Sequence, residues 1–457
     1  MSYLEAEVVS TKEKQLGIIS DKGRIVAAKL ADYLLKDSGL RIETFKDNDQ
    51  IIYYDYRTNE GVWHLDGEVN IKAFTYSKIK SEAPELDEQL TSHIMAEILE
   101  KIRCATYSSR NEFETKKGMV CCNNGAVNLQ RGELVSHSPS FCFLSKIPVD
   151  YSPGQQCPKI DKFLDEVLGE QKQLFYEITG YCLQGGYEFQ RAFIAVGGGD
   201  NGKSTALNIL RVFLGTENVS ACSLQELLED KFSVADLYGR LANIHADIPS
   251  KSLYDTGRIK MLCGGDVIRA QNKFQQSFKF VNQAKLIFSC NILPESYDDS
   301  DAFFKRMILL DFANTIAPEN QNRKLLVELT TPEELSGLLN KALEARRDLE
   351  KNGKFTGEGS IEDKRKKYTR QSDPIQTFIN ERIAFGEQEI VKQDLYTKYM
   401  EWASENRYGK VITQKTFFKK FLEKAPSGKV SEYQKWSDDR KTRTRVYAGV
   451  TLLPKAV

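Results

Sequence analysis

The sequence predicts an α/β core built on a parallel sheet, with an α+β domain before it and a smaller domain of helices and strands after it. The apolar run Ala192–Val196 leads into a glycine-rich loop and then a helical pattern, an order typical of a buried parallel strand followed by a helix. Later apolar runs at 241–244, 285–290 and 307–312 have the length and composition of further buried strands. Before residue 158, residues 50–65 have the pattern of a hairpin and residues 86–104 that of a helix with one apolar face.

The composition is that of a globular protein without overall charge. The chain has 457 residues, of which 41% are hydrophobic and 28% are charged, and its formal net charge is zero. Any nucleic-acid surface must therefore be a local patch. Nine cysteines without C-x-x-C spacing, beside only four histidines, argue against a structural zinc and indicate reduced thiols in the cytoplasm. The sequence shows neither a signal peptide nor an apolar run long enough to span a membrane.

Residues 197–204 fit the phosphate-loop pattern G-x-x-x-x-G-K-[ST] in the strand–loop–helix context that the pattern requires. The glycines let backbone N–H groups turn towards a phosphate, and the helix N-terminus adds the positive end of its dipole. Lys203 would reach the β- and γ-phosphates, and the Ser204 hydroxyl would be a ligand of magnesium. We therefore expect ATP and magnesium here, and the predicted nucleotide-binding residues are Gly197, Gly198, Gly199, Asp200, Asn201, Gly202, Lys203, Ser204 and Thr205.

Residues beside the three later strands complete the predicted catalytic set. Asp247, after the first strand, would hold magnesium from a neighbouring parallel strand; a turn before Pro249 is the alternative, and Ala246 leaves the general base unassigned. Asn291, after the second strand, would sense the γ-phosphate, unless it is only a turn residue. Arg306, before the third strand, would reach the γ-phosphate of a neighbouring subunit, and a basic residue at a strand entrance is the alternative.

Segment 267–280 has the alternating pattern of a hairpin between two of the predicted strands. Lys273 and Phe274 would lie at its tip with Arg269 in support, where a cation and an aromatic ring could contact single-stranded nucleic acid. An ordinary solvated hairpin explains the same pattern equally well.

The C-terminal segment has the pattern of a winged-helix DNA-binding domain. Residues 412–425 form a helical pattern with Phe417, Phe418, Phe421 and Leu422 on one side and Lys415 and Lys419 on the other. Arg440 and Arg443 lie at a turn and a strand start. From residue 401 onward, 13 Lys and Arg stand against 6 Asp and Glu, a balance of +7 that favours phosphate contacts. A small helical lid with solvated lysines is the alternative.

The stretches GGGDNGKST, LANIHADIP, KMLCGGDVIRAQNKF, AKLIFSCNILPE and DAFFKRMILLDF resemble superfamily III helicases in their order and spacing. The chain particularly resembles the phage and plasmid primase-helicase branch, which includes poxvirus nucleoside triphosphatase-type proteins. This resemblance covers residues 40–450 and implies an AAA+ -type fold, a hexameric ring and 3′-to-5′ translocation on a DNA strand in the central channel. It also implies the roles given above for Asp247, Asn291 and Arg306, and a DNA contact by Lys273.

These patterns predict four parts: an N-terminal accessory domain (1–158), an ATPase domain with a leading helical segment (159–345), a charged, flexible linker (346–372) and a winged-helix domain (373–457). The acidic motifs of a primase domain are not recognised, so we expect a primase or polymerase to be a separate partner. Because the chain has one phosphate loop, we expect a homo-oligomer that shares its active sites and unwinds forked DNA. Two alternatives stay open: an ATP-switched origin-binding or loader protein, and a DNA-directed ATPase that does not unwind.

Overall fold

A computed structural model describes the chain between residues 17 and 454, with gaps. The described residues are 17–36, 40–47, 50–108, 117–249, 252–273, 277–314, 316–317, 319, 322–406, 412–436 and 443–454. The chain divides into two compact units, an N-terminal unit that ends at Tyr151 and a C-terminal unit that begins at Ser152. Among the described helices, none is long and apolar enough to cross a membrane.

The N-terminal unit combines α-helices with two small antiparallel sheets. Its elements are α1 (Ala27–Lys36), β1 (Ile42–Asp47), β2 (Gln50–Arg57), β3 (Val62–His64), α2 (Gly67–Glu82), a 3₁₀ helix (Pro84–Gln89), α3 (Ser92–Thr106), β4 (Met119–Cys122), β5 (Gly125–Asn128) and β6 (Leu134–Val135). The strand orders are β1-β2-β3 and β4-β5-β6. The hairpin predicted within 50–65 is confirmed by the pairing of β2 with β3. The helix predicted at 86–104 is split, because Thr91 caps a new helix by accepting the N–H of Ile94.

A parallel sheet forms the centre of the C-terminal unit. The elements up to its last strand are α4 (Pro158–Leu168), α5 (Lys172–Cys182), β7 (Ala192–Val196), α6 (Lys203–Leu214), β8 (Val219–Ser220), α7 (Leu224–Glu229), β9 (Ala242–His245), α8 (Gly257–Gly264), β10 (Val267–Gln271), β11 (Ser277–Val281), β12 (Lys285–Cys290), α9 (Asp301–Arg306) and β13 (Met307–Asp311). The strand order is β13-β7-β12-β9-β8, and every neighbouring pair is parallel. Every residue of β7 and β12 is buried, as expected for strands covered on both faces.

This sheet is that of a P-loop NTPase-like fold, and its order corrects one detail of the sequence prediction. β7, which leads into the phosphate loop, lies between β13 and β12. β9, which precedes Asp247, is not its direct neighbour, because β12 is inserted between them. The strand that precedes Asn291 is therefore the one beside the loop strand. Sequence order alone does not show such an insertion, because β12 comes later in the chain than β9.

β10 and β11 form a separate antiparallel hairpin, as predicted. Ile268, Ala270 and Phe280 are buried in the core of the unit, whereas Arg269 and Lys279 are exposed. Because side chains alternate across a strand, one face of the hairpin is fixed to the core and the other faces solvent.

The segment 346–372 is not a flexible connector in the structure. The helices here are α10 (Leu325–Leu329), α11 (Pro332–Asn352) and α12 (Ile361–Ser372). Ser360 and Asp363 form a capping box at the start of α12. Tyr368 of α12 is 2% exposed and packs edge-on against Phe303, with ring centroids 5.4 Å apart. The high charge of this segment suggested a solvated chain, but the Tyr368 ring and ion pairs of Arg365 with Asp301 and of Lys367 with Asp311 hold α12 against the ATPase domain.

The C-terminal domain contains helices and a three-stranded antiparallel sheet. Its elements are α13 (Pro374–Arg382), β14 (Ile383–Val391), α14 (Lys392–Glu405), α15 (Gln414–Lys424), β15 (Ser431–Trp436) and β16 (Arg443–Leu452), and the strand order is β14-β16-β15. The sequence did not predict β14, because Gly386 and a register shift between Phe385 and Glu389 interrupt its alternation. On the predicted apolar side of α15, Phe417 and Phe421 are fully buried and Phe418 is partly buried, whereas Leu422 is 41% exposed and was wrongly placed there.

Candidate active site

The phosphate loop connects the end of β7 to the start of α6. Gly202, just before α6, has a left-handed backbone with φ of 81° and offers no side chain to cap the helix. The first N–H groups of α6 can therefore bind a ligand. A Cβ on Gly202 would lie 2.7 Å from Val167 Cγ1. A Cβ on Gly197 would lie 2.4 Å from the carbonyl oxygen of Phe312. Space requires glycine at both positions, and backbone conformation requires it again at Gly202.

The predicted site residues Asn201 and Asn291 both contact the side chain of Lys203. Only 5% of its surface is exposed. Its Nζ donates to the carbonyl oxygen of Gly197 and to Asn201 Oδ1 at 3.0 Å. It also donates to Asn291 Oδ1 at 3.3 Å. Burial lowers the pKa of this amine, and the nearby negative charge of Asp247 opposes that shift. The structure therefore brings Asn291 and Asp247 to the loop lysine.

Asp247 lies just beyond β9, in a left-handed backbone conformation with φ of 55°. Its N–H donates to Ser289 Oγ at 3.2 Å. The N–H of Ile248 donates to the carbonyl oxygen of Ser289 at 2.8 Å. These bonds fix the turn to β12, and an aspartate tolerates this conformation better than a β-branched residue does. Asp247 is exposed, and its charge still acts on Lys203 across the inserted strand.

The loop, Asp247 and Asn291 line one open cleft of about 370 Å³ at the carboxyl edge of the sheet. The predicted nucleotide-binding residues in this lining are Gly199, Asp200, Asn201, Gly202, Lys203, Ser204 and Thr205. Gly197 and Gly198 are not part of the lining. Gly197 instead packs beside Asn201 and Phe312.

One wall of the cleft was not found from the sequence. It consists of Ile316, Asn322 and Leu325, which follow the last strand of the sheet. The N–H of Ile316 donates to the carbonyl oxygen of Asp200 at 2.7 Å, which ties this wall to the loop. No motif or periodicity distinguishes these residues in the sequence, so only the folded chain shows their position.

The residues present fit a nucleotide with magnesium. Within the described ranges, no group of three or more His, Cys, Asp or Glu side chains could hold a metal ion by itself. Ser204 and Asp247 are exposed in the cleft. Magnesium at nucleotide sites keeps water and phosphate ligands and takes only one or two ligands from the protein, so this sparse oxygen set is sufficient. Among the described residues, the Lys203 ammonium donates hydrogen bonds only to uncharged oxygens, which leaves its charge available to phosphate.

Arg306 ends α9 and lies at the opposite edge of the sheet from the loop. The next residue, Met307, pairs with Ala192 at the start of β7, whereas the loop follows Val196 at its end. The Arg306 guanidinium donates through Nη1 to the carbonyl oxygen of Ala302 at 2.7 Å. Its Nε is buried and has no hydrogen-bond partner in the described part of the chain. Arg306 therefore does not share the cleft of its own chain.

The exposed face of the β10–β11 hairpin carries a cation that sequence reasoning missed. Arg269 lies directly opposite Lys279, and both are exposed. Arg269 Nε donates to Ser277 Oγ at 2.9 Å, and neither cation pairs with an acid among the described residues. Lys273 is exposed beyond the end of β10, and Phe274 lies outside the described residues. Lys279 was missed because only the strand register places it opposite Arg269.

The predicted DNA contacts of the C-terminal domain lie on two elements. Lys415 and Lys419 are exposed, one turn apart, on α15. Arg443 is exposed at the start of β16. Arg440 lies outside the described residues. The structure thus places three of the four predicted cations on the surface without testing a nucleic-acid contact.

Three family models match the chain. The D5 N terminal like model matches residues 28–169, and the poxvirus D5 protein-like model matches residues 370–453. Both segments of the chain therefore resemble D5-type proteins. A third model, a family of unknown function (DUF5906), matches residues 195–306, which contain the phosphate loop, Asp247, Asn291 and Arg306.

A curated relative of this chain is a putative helicase of Acanthamoeba polyphaga mimivirus. It is 24% identical over 328 residues, which make up 64% of this chain and 33% of the relative. The match therefore spans only about a third of that protein. Two apo structures of the NrS-1 C-terminal region are each 13% identical and have TM-scores of 0.44 and 0.45. Each covers 93% of this chain and 99% of its own, and TM-scores this low do not establish a common fold.

Proposed function

We propose that the chain is an ATP-dependent replicative DNA helicase of a virus, phage or plasmid that translocates on single-stranded DNA as a ring. One observation carries this proposal. The cleft in which Lys203, Asp247 and Asn291 meet belongs to the same domain as a hairpin that exposes the opposed cations Arg269 and Lys279. The two D5-type family matches and the helicase-named relative support it.

In this proposal the cleft binds ATP with magnesium. The backbone N–H groups at the start of α6 and the ammonium of Lys203 bind the phosphates, because both are positive and face the cleft. Ser204 and Asp247 hold the magnesium ion. Asn291, whose amide oxygen accepts a hydrogen bond from Lys203, senses the γ-phosphate or orients the attacking water.

Hydrolysis is proposed to need a second copy of the chain. β13 ends at Asp311, beside Val196, after which the phosphate loop begins. Arg306 lies five residues before Asp311, a distance of about 17 Å at the rise of a β-strand. An arginine side chain is too short to span that distance. The guanidinium suits a multi-oxygen transition state, so Arg306 would complete the cleft of a neighbouring copy. Head-to-tail contacts of this kind close into rings, and we propose a hexamer.

Single-stranded DNA is proposed to run along the exposed face of the β10–β11 hairpin. Like charges directly opposite each other destabilise an antiparallel pair, so the Arg269–Lys279 pair is unfavourable until an anion lies against it. A DNA phosphate supplies that charge. Lys273 continues the positive face towards the hairpin tip.

The C-terminal domain is proposed to be a winged helix that contacts DNA at the fork. The order α13-β14-α14-α15-β15-β16 with one antiparallel sheet suits that fold. Lys415 and Lys419 on α15 and Arg443 on β16 would contact phosphates. All nine cysteines are free, which suits the reducing host cytoplasm. A separate primase or polymerase is the proposed partner for primer synthesis.

ATP hydrolysis measured with and without single-stranded DNA tests this proposal. We expect DNA to stimulate the wild type, and Lys203→Ala to lower the rate by about 100-fold or more, since it removes a charge preorganised for the phosphates. Lys162→Ala is the matched control, because that lysine is 80% exposed on α4. An ATP hydrolysis rate that DNA does not change would contradict the proposed translocation on DNA. Hydrolysis by Lys203→Ala at the wild-type rate would contradict the proposed ATP site.

A second candidate is an ATP-switched origin-binding or loader protein. Among the described residues, only Asp200 and Asp247 bring carboxylates to the cleft, and no second acid adjoins Asp247 in the sequence. A site without a second acid to activate water suits slow hydrolysis and long ATP residence. On forked DNA a loader would bind without displacing a strand. A DNA-directed ATPase that does not unwind would also displace no strand but would hydrolyse ATP continuously.

A further inference from the structure

An exposed tryptophan stands at the end of the C-terminal hairpin formed by β15 and β16. Trp436 is 51% exposed, whereas Trp63 and Trp402 are 6% and 2% exposed. Tryptophan is usually among the more buried residues because its large ring loses much from contact with water. The domain buries Trp402 in its own core and leaves Trp436 outside it.

The indole of Trp436 is already organised by a neighbouring cation. Trp436 and Arg443 are direct partners across the hairpin. The Arg443 guanidinium lies over the ring, 4.3 Å from its centroid. A guanidinium over one face of an indole is attracted by its π-electrons and limits the rotation of both side chains. Because the guanidinium covers one face and half the residue is exposed, the other face remains accessible to a flat partner.

Charge elsewhere on the hairpin is neutralised within the domain. Tyr433 and Lys435, on the opposite face of β15, both donate to Glu389. Lys392 pairs with Glu432 at 2.9 Å. By contrast, Arg443 forms no ion pair with any acid that the structure describes. The end of the hairpin therefore combines an accessible aromatic face with a cation that has no ion pair among the described residues.

We propose that Trp436, held by Arg443, stacks on an unpaired base of single-stranded DNA. This inference rests on the proposed DNA-binding role of the C-terminal domain. Stacking on an aromatic ring is available to every base and needs no sequence. In a duplex both faces of each internal base are covered by its neighbours, so the ring selects the single-stranded arm of a fork over its duplex. Arg443 would also direct its outer N–H groups to an adjacent phosphate.

The fluorescence of Trp436 provides a direct test. Trp63 and Trp402 are buried, so the emission that acrylamide quenches in the wild type comes mainly from Trp436. Adding a deoxythymidine oligonucleotide should quench this emission and protect it from acrylamide, whereas a blunt duplex should do neither. Trp436→Phe should abolish the DNA-dependent change. By anisotropy of a labelled oligonucleotide, Trp436→Ala should weaken single-strand binding about 10-fold, and Trp436→Phe by no more than about 3-fold.

Gln434→Ala is the matched control, since Gln434 is exposed on the same strand face two residues away, and it should bind within about twofold of wild type. The stacking proposal would be overturned if single-stranded DNA bound without quenching the fluorescence and if Trp436→Ala bound it as tightly as wild type. The DNA-binding role of the domain would then remain intact. Quenching by blunt duplex as strong as by single strand would overturn the choice of ligand. A wild type that binds no DNA at all would overturn both the stacking and the proposed function.

Discussion

The placement of Arg306 gives the sharpest mutational prediction. It lies about 17 Å along β13 from the loop end of the sheet, so within one chain it cannot touch the phosphates. Arg306→Ala should therefore retain ATP binding, because every residue that lines the cleft is unchanged. Its turnover should fall by about 10³-fold or more, the range for an arginine finger supplied in trans. Arg306→Lys should recover little of it, since an ammonium cannot hold two phosphate oxygens at once.

Mixing wild-type and Arg306→Ala subunits measures how strongly one missing cation affects the other sites of a ring. If each finger serves only the neighbouring cleft, a half-and-half mixture should keep about half of the wild-type ATPase rate. If one defective finger stops a six-membered ring, the same mixture should keep only about 2%. Nucleotide binding is followed with a fluorescent ATP analogue. Arg365→Ala is a control, because Arg365 lies on α12 and is bonded to Asp301 of α9, the helix that carries Arg306. Normal turnover by Arg306→Ala alone would refute the reasoning and locate the finger elsewhere.

Three further outcomes are expected. Asp247→Asn should bind ATP without magnesium as well as wild type does but lower turnover by about 100-fold or more, measured by phosphate release; magnesium-dependent turnover at the wild-type rate would contradict its metal role. Lys279→Gln should lower the magnitude of the slope of log binding constant against log salt concentration by about 0.7 for single-stranded DNA, measured by anisotropy. An unchanged slope would show that Lys279 does not contact the DNA. Burial raises the pKa of the Cys263 thiol to about 12, so between pH 9 and that value the unfolded chain loses a proton that the native chain keeps. The free energy of unfolding should therefore fall as pH rises through this window, by about 1.4 kcal/mol per unit from this thiol, and Cys263→Ala should flatten the denaturant-unfolding profile by that slope.

The sequence predicted those parts of the fold that depend on local chemistry. The phosphate loop could be recognised because a strand, a glycine loop and a helix each impose residue types at fixed spacing. The β10–β11 hairpin followed from alternation, and the buried side of α15 followed from helical periodicity. In each case neighbours in sequence are also the residues that interact.

Features that depend on contacts between distant segments were not predictable in the same way. β12 lies between β7 and β9 in the sheet, and the sequence of an individual strand does not show which strands will be its neighbours. The wall formed by Ile316, Asn322 and Leu325 has no motif, and Lys279 needed the register to be seen beside Arg269. α12 was interpreted as a linker because its charge is high, although the pair Ser360 and Asp363 is a capping signal that could have indicated its start.

Strand displacement on a forked DNA substrate tests the central claim most directly. The account predicts that wild-type protein displaces the labelled strand only with ATP and magnesium. It predicts that Lys203→Ala binds the fork with wild-type affinity but displaces nothing, whereas Lys162→Ala behaves as wild type. Displacement by Lys203→Ala, or steady ATP hydrolysis on the fork by wild type with no displacement, would contradict it.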